Sequence, residues 1–131
     1  MQAHDPVRRY DPAVDLDALA DAWRRRSIAA RTQVEASAEH ARAAANVAAR
    51  VLVDEFGASE VWLFGSLVWG PLHAGSDVDL AVRGIPPGRH FSALTRACEI
   101  VGGSVDLVSL ETCAESFGRR VRERGVRLHG G

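Results

Sequence analysis

Val61-Trp62-Leu63-Phe64-Gly65-Ser66, followed after ten residues by Asp77-Val78-Asp79-Leu80, is the stretch from which the fold of this chain is read. Val61 to Phe64 is a short continuous apolar run, the pattern of a strand buried on both faces. Gly65-Ser66 leaves that strand in a small-residue turn, and Ser66 to Trp69 is read as a short helical turn. Asp77 to Arg83 is read as a second strand. Two carboxylates spaced by two on a strand point to one side, which leaves Val78 and Leu80 for the core.

The flanking sequence extends this into an α/β domain. From Ala13 to Phe56 the chain has no Gly or Pro. Asp11-Pro12 reads as an N-cap with Pro at the first helical position. Leu16, Leu19 and Trp23 share one helical face; Ala41, Ala45, Ala48, Leu52 and Phe56 share another. One helix over that span would reach about 65 Å. We therefore expect two helices with a break near Ser27 to Gln33, the second stopped by Gly57 in a left-handed conformation. After a loop at Gly84 to Gly88, Phe91, Leu94, Cys98 and Val101 form a helical stripe ending at Gly102-Gly103. Ser104 to Ser109 is a third strand. Thr112-x-x-Glu115 has the pattern of a capping box opening a last helix that Gly125 ends. Val126 and Leu128 dock the tail. The expected fold is a small mixed three-strand sheet flanked by helices, with residues 1–40 as an arm and helical extension and 41–131 as the main domain.

Composition bounds what such a domain does. At 131 residues, 47% hydrophobic and 25% charged, it is an ordinary globular chain. A formal charge of -1 gives no global basic field, so direct nucleic-acid binding is not expected. All 16 cationic side chains are Arg, so no Lys can serve as nucleophile or phosphate ligand. Cys98 and Cys113 have no metal-binding spacing and read as reduced thiols. No apolar run approaches a membrane span and the N-terminus lacks a signal-peptide core, so a cytoplasmic protein is expected.

The chemistry concentrates in three carboxylates and one turn. Asp77 and Asp79 repel each other unless a cation lies between them, and Mg²⁺ suits an all-oxygen set that shares its shell with phosphates. Asp106 interrupts the apolar run Val105, Leu107 and Val108, and an unpaired charge there is costly. If the third strand lies beside the second, the three carboxylates suffice for two metal ions, one to activate a hydroxyl and one to stabilise a leaving pyrophosphate. Gly65 lets backbone approach a ligand, the N–H groups of the following turn can face phosphate oxygens, and Ser66 adds a hydroxyl donor. Ser76 is placed to cap or orient the return to the second strand. Arg83 and Arg89 are within reach of a phosphate but read by default as surface residues, and Trp69 reads as a packing residue.

Apolar-Gly-Ser, about ten residues, Asp-x-Asp-apolar and a later strand Asp together resemble the polymerase β-type nucleotidyltransferase superfamily. The small size resembles its minimal nucleotidyltransferase (MNT) branch. The resemblance covers about Ala41 to Leu128. It implies transfer of a nucleoside monophosphate from an NTP, by default ATP, to a hydroxyl, with Mg²⁺ (two ions). Asp77 and Asp79 would be the metal ligands. Asp106 would be the third, helping to deprotonate the acceptor. Gly65 and Ser66 would bind the triphosphate, with Ser76 counted beside them as a nucleotide-binding residue. MNT proteins are commonly paired with a small helical HEPN protein, and in several such toxin–antitoxin pairs the MNT partner adds AMP to a tyrosine of the HEPN ribonuclease. The resemblance thus implies a HEPN partner. A non-catalytic antitoxin that acts by docking, and a transferase acting on a small molecule or RNA, are the alternatives. Trp69 departs from the pattern: many relatives carry Arg or Lys there.

Overall fold

Alanine dominates the long helix that opens the structure, and its small side chains are what bring that helix close to the sheet. The computed structural model describes residues 15–72 and 77–130. The elements are α1 (Leu16–Phe56), β1 (Glu60–Phe64), α2 (Ser66–Trp69), β2 (Val78–Arg83), α3 (His90–Val101), β3 (Val105–Ser109), α4 (Glu115–Arg124) and β4 (Val126–Gly130). The chain divides into two units, Met1–Gln33 and Val34–Gly131.

The expected break near Ser27 to Gln33 does not occur: α1 is one helix of 41 residues, and no Gly or Pro is present to interrupt its hydrogen bonds. Its N-cap is Asp15, whose Oδ1 accepts from the Asp17 N–H at 2.9 Å. Asp11-Pro12, the expected cap, lies outside the described residues. In the first unit Leu16, Leu19 and Trp23 are 58%, 54% and 66% exposed. Gly57 stops α1 as expected, at φ +78°. The Gly57 N–H donates to Val53 O at 3.1 Å, the 5→1 bond of an αL C-cap, and the Ala58 N–H donates to Leu52 O at 3.1 Å.

In the second unit the sheet has four strands, in the order β3-β2-β1-β4, where three were expected. The fourth is the tail. Without it the buried strand β1 would present unpaired backbone groups along one side, and β4 supplies their antiparallel partners, Leu63 facing Val126 and Trp62 facing Arg127. β1 and β2 are antiparallel; β2 and β3 are parallel and joined through α3. One sheet face packs Val61, Leu63, Val78, Leu80, Val82 and Leu107 against α1 and α3. The other packs Trp62, Phe64 and Ala81 against Val121 of α4, with Leu110.

Two local expectations are revised. α3 buries Ala93 and Ala97, and Phe91, expected in its stripe, is 77% exposed. The N-cap of α4 is Ala114 without a side-chain cap bond, so Thr112-x-x-Glu115 is not a capping box; Thr112 sits in the preceding turn. Gly125 does end α4, though not by a left-handed conformation: a Cβ there would meet Val121 O at 2.5 Å. Among the described residues no helix is long and apolar enough to cross a membrane.

Candidate active site

Asp79 is the centre of the site because strand pairing gives it two neighbours. On one side it faces Phe64, the last residue of β1, so the turn at Gly65 closes over it. On the other it faces Asp106 in the parallel register of β2 and β3. Alternation puts Val78 and Leu80, 1% and 0% exposed, on the α1 face. Asp79 is left on the opposite face with Phe64 and Ala81, half-buried.

Gly65 is required where it stands. It has φ +79° and is the N-cap of α2, and a Cβ on it would fall inside the Asp79 carboxylate. The Val68 and Trp69 N–H groups donate to Gly65 O at 3.0 and 2.8 Å. The N–H groups of Ser66 and Leu67 precede these first helical bonds, the position that an α-helix leaves for an outside acceptor. α2 spans only four residues, so these donors and the Ser66 hydroxyl matter more than a helix dipole.

Burial, then Asp106, then Asp77 push the Asp79 carboxyl up from its ordinary 3.8 to about 6. Asp77, just before β2, and Asp106 are exposed. Three neighbouring carboxylates, of which Asp79 is partly desolvated and perturbed by the other two, form a cluster short of positive charge. Among the described residues no three acidic, His or Cys side chains come together as a group that could hold a metal ion by themselves. An open set of hard oxygen donors still fits Mg²⁺, which takes one or two carboxylates and completes its octahedron with water and substrate phosphates. Ser76 and His73 lie outside the described residues. A cavity of about 310 Å³ adjoins Asp77 on the α1 side of the sheet, walled by Ser37, His40 and Ala41 and by Gly102 to Ser104.

Several arginines have structural tasks. Arg83 pairs with Glu60 at 3.1 Å. Arg89 donates to Glu55 O at 3.1 Å and covers the Phe56 ring at 4.5 Å. Neither is aimed at the carboxylates. Sequence reasoning missed Arg42. From α1 its Nε and one terminal nitrogen both donate to Leu67 O, at 3.2 and 3.0 Å, and so hold α2 in place. Its only signal was a lone cation beside Ala41 on the buried face of an alanine-rich helix.

Trp69 packs, as its reading anticipated. Its Nε1 donates to Arg124 O at 2.9 Å, its ring lies 6.1 Å from that of Phe64, and the Arg124 guanidinium sits 5.9 Å over it. It ties α2 to the last turn of α4.

A glycine turn and a carboxylate cluster thus meet at one end of a mixed sheet. Residues 47–122 match the nucleotidyltransferase domain family, and the chain belongs to it. It is a nucleotidyltransferase. Among solved structures it is similar to a chain of the toxin–antitoxin complex MntA–HepT, with TM-score 0.55 and 21% identity over 69% of this chain and 73% of that one. A toxin–antitoxin structure with AMP-PNP gives 0.56 and 25%, over 63% and 70%. The complex of a tri-AMPylated Shewanella oneidensis HEPN toxin with its MNT antitoxin gives 0.54 and 21%, over 70% and 73%. No curated protein matches the chain in sequence.

Proposed function

We propose that this chain transfers AMP from ATP to a hydroxyl, the acceptor being a tyrosine of a cognate HEPN ribonuclease toxin, and that it thereby acts as the antitoxin. The observation that carries the reading is the position of Asp79 between the Gly65 turn and Asp106. In this reading residues 41–131 are the catalytic domain, residues 1–40 an extension, and the reaction takes place in the cytoplasm.

Asp77, Asp79 and Asp106 would hold Mg²⁺, in two sites, which when bound neutralises phosphate charge and activates an attacking hydroxyl. The protein's own part is positioning. Ser66 and the first N–H groups of α2 take the triphosphate, and Arg42 fixes α2 through Leu67 O. Asp106 is exposed on β3, an edge strand, where a bulky acceptor can reach it and give up its hydroxyl proton. The similar complexes with a nucleotide analogue and with an AMPylated toxin support both the donor and the acceptor class.

The test is transfer of label. The protein, Mg²⁺, ATP labelled in its AMP moiety and the HEPN protein encoded beside it are incubated, with wild type and with Asp77→Asn/Asp79→Asn. Label on a toxin tyrosine that disappears in the double variant supports the reading. Full toxin neutralisation by the double variant, with no label in either case, replaces it with inhibition by docking.

A further inference from the structure

Taken by itself, the described part of the first unit is helical, with an exposed apolar side. Leu16, Leu19 and Trp23 are all more than half exposed, and with Ala20 and Ala30 they fall on one side of α1. The polar residues around that stripe are sorted by sign along the helix. Asp15, Asp17 and Asp21 occupy its first turns; Arg24, Arg25, Arg26 and Arg31 follow. A parallel pair of such helices would set acid beside acid and base beside base. An antiparallel pair sets each acidic half against the other copy's basic half.

We propose that residues 16–31 of α1 are a self-association surface whose occupant is the same segment of a second copy, packed antiparallel about a two-fold axis near residue 24. Self-complementarity is what selects a second copy over an unrelated partner: a two-fold interface uses the same patch twice, so the patch must carry both signs and in opposite order. Asp17 and Arg31 lie about four helical turns apart and therefore flank the stripe on the same side. The two-fold axis maps that flank onto itself and brings Asp17 of each copy to Arg31 of the other. It also sets the two Trp23 side chains beside each other at the crossing. Arg24 lies near the axis on this flank and is already neutralised by Asp21 of its own helix, at 3.0 Å. The Arg26 guanidinium, 5.9 Å over the Trp23 ring, shields one edge of the stripe. The inference uses only this helix and does not depend on the nucleotidyl-transfer reading.

Sedimentation equilibrium of the full chain over a wide concentration range tests it, with far-UV circular dichroism to verify that each variant keeps its helix. All the residues changed are exposed. Wild type is expected to dimerise, and Trp23→Ser to weaken the dimer at least tenfold. Asp17→Arg and Arg31→Glu are each expected to be monomeric at concentrations where wild type is dimeric, and to form a mixed dimer when combined. A monomeric wild type, or a dimer indifferent to Trp23→Ser, overturns the surface. Failure of the charge variants to rescue each other overturns the antiparallel arrangement.

Discussion

The Gly65 backbone lies against the Asp79 carboxylate so closely that no side chain fits between them. The residue that shapes the phosphate turn and the residue at the centre of the carboxylate cluster are therefore one unit of structure, and each limits what can replace the other.

Gly65→Ala tests that limit. The substitution places a side chain at φ +79° and ψ -154°, a region essentially reserved for glycine, which costs about 1–3 kcal/mol, and forces Asp79 aside. Nucleotidyl transfer should fall by about two orders of magnitude or more, since displacement of reacting groups by about 1 Å is enough for that. Thermal melting should register a smaller loss. A variant with wild-type transfer rates would show that the turn does not need glycine.

Asp79 should make the metal-free protein sensitive to pH. Its folded pKa, about 6, lies above its ordinary 3.8, so the folded state binds the proton more tightly. The stabilisation this gives is complete below about pH 3.8 and is lost as pH rises through 6. Asp79→Asn should therefore melt higher than wild type at pH 8 without metal, with the difference shrinking towards pH 4. Mg²⁺ should raise the melting temperature of wild type at pH 8 and leave that of the variant nearly unchanged. The same variant should lose transfer activity.

Arg42 acts through α2. Arg42→Ala removes both donors from Leu67 O and should cost about 1–3 kcal/mol, as expected for a charged hydrogen bond. A loosened phosphate turn predicts a rise in KM for ATP greater than the fall in kcat, with Arg42→Lys between the two. An unchanged KM alongside a lower melting temperature would reduce Arg42 to a packing role.

Trp69 can be divided into its two tasks. Trp69→Phe keeps an aromatic ring near Phe64 and loses the bond to Arg124 O, a loss of about 1 kcal/mol. Trp69→Arg removes the ring as well and should cost about 3 kcal/mol or more. Because the carboxylates are untouched, both variants should still transfer AMP at temperatures where they remain folded. Parallel melting curves and transfer assays separate stability from chemistry.

The sequence was most readable where one residue type has few alternatives. Gly57 had to end a helix, the run Val61 to Phe64 had to be a buried strand, and a strand carrying Asp79 between Val78 and Leu80 had to turn it to the other face, although Asp77, expected on that strand, falls just before it. Weaker signals misled. Thr112-x-x-Glu115 has capping-box spacing, but the chain is still turning at Thr112 and the helix begins three residues later. β4 was seen only as a docked tail because its membership depends on β1 lacking a partner, a property of the sheet and not of the tail. Arg42 was invisible for a related reason: its partner is a backbone carbonyl 25 residues away, which no local pattern marks. The length of α1 was underestimated by assuming that a helix must be covered by its own domain, and the exposed Trp23 contradicts that assumption.

The mixed direction of the sheet is what assembles the site. β1 runs towards the site and β2 and β3 run away from it, so the end of β1 and the starts of the other two meet at one edge of the molecule. The β1–β2 ladder keeps Phe64 opposite Asp79 and so fixes that side of the site. The other side rests on register: a slip of β3 by one residue would turn Asp106 through the sheet to the α1 face. The site thus survives or fails with the pairing of β3, which alone keeps Asp106 on the same face as Asp79.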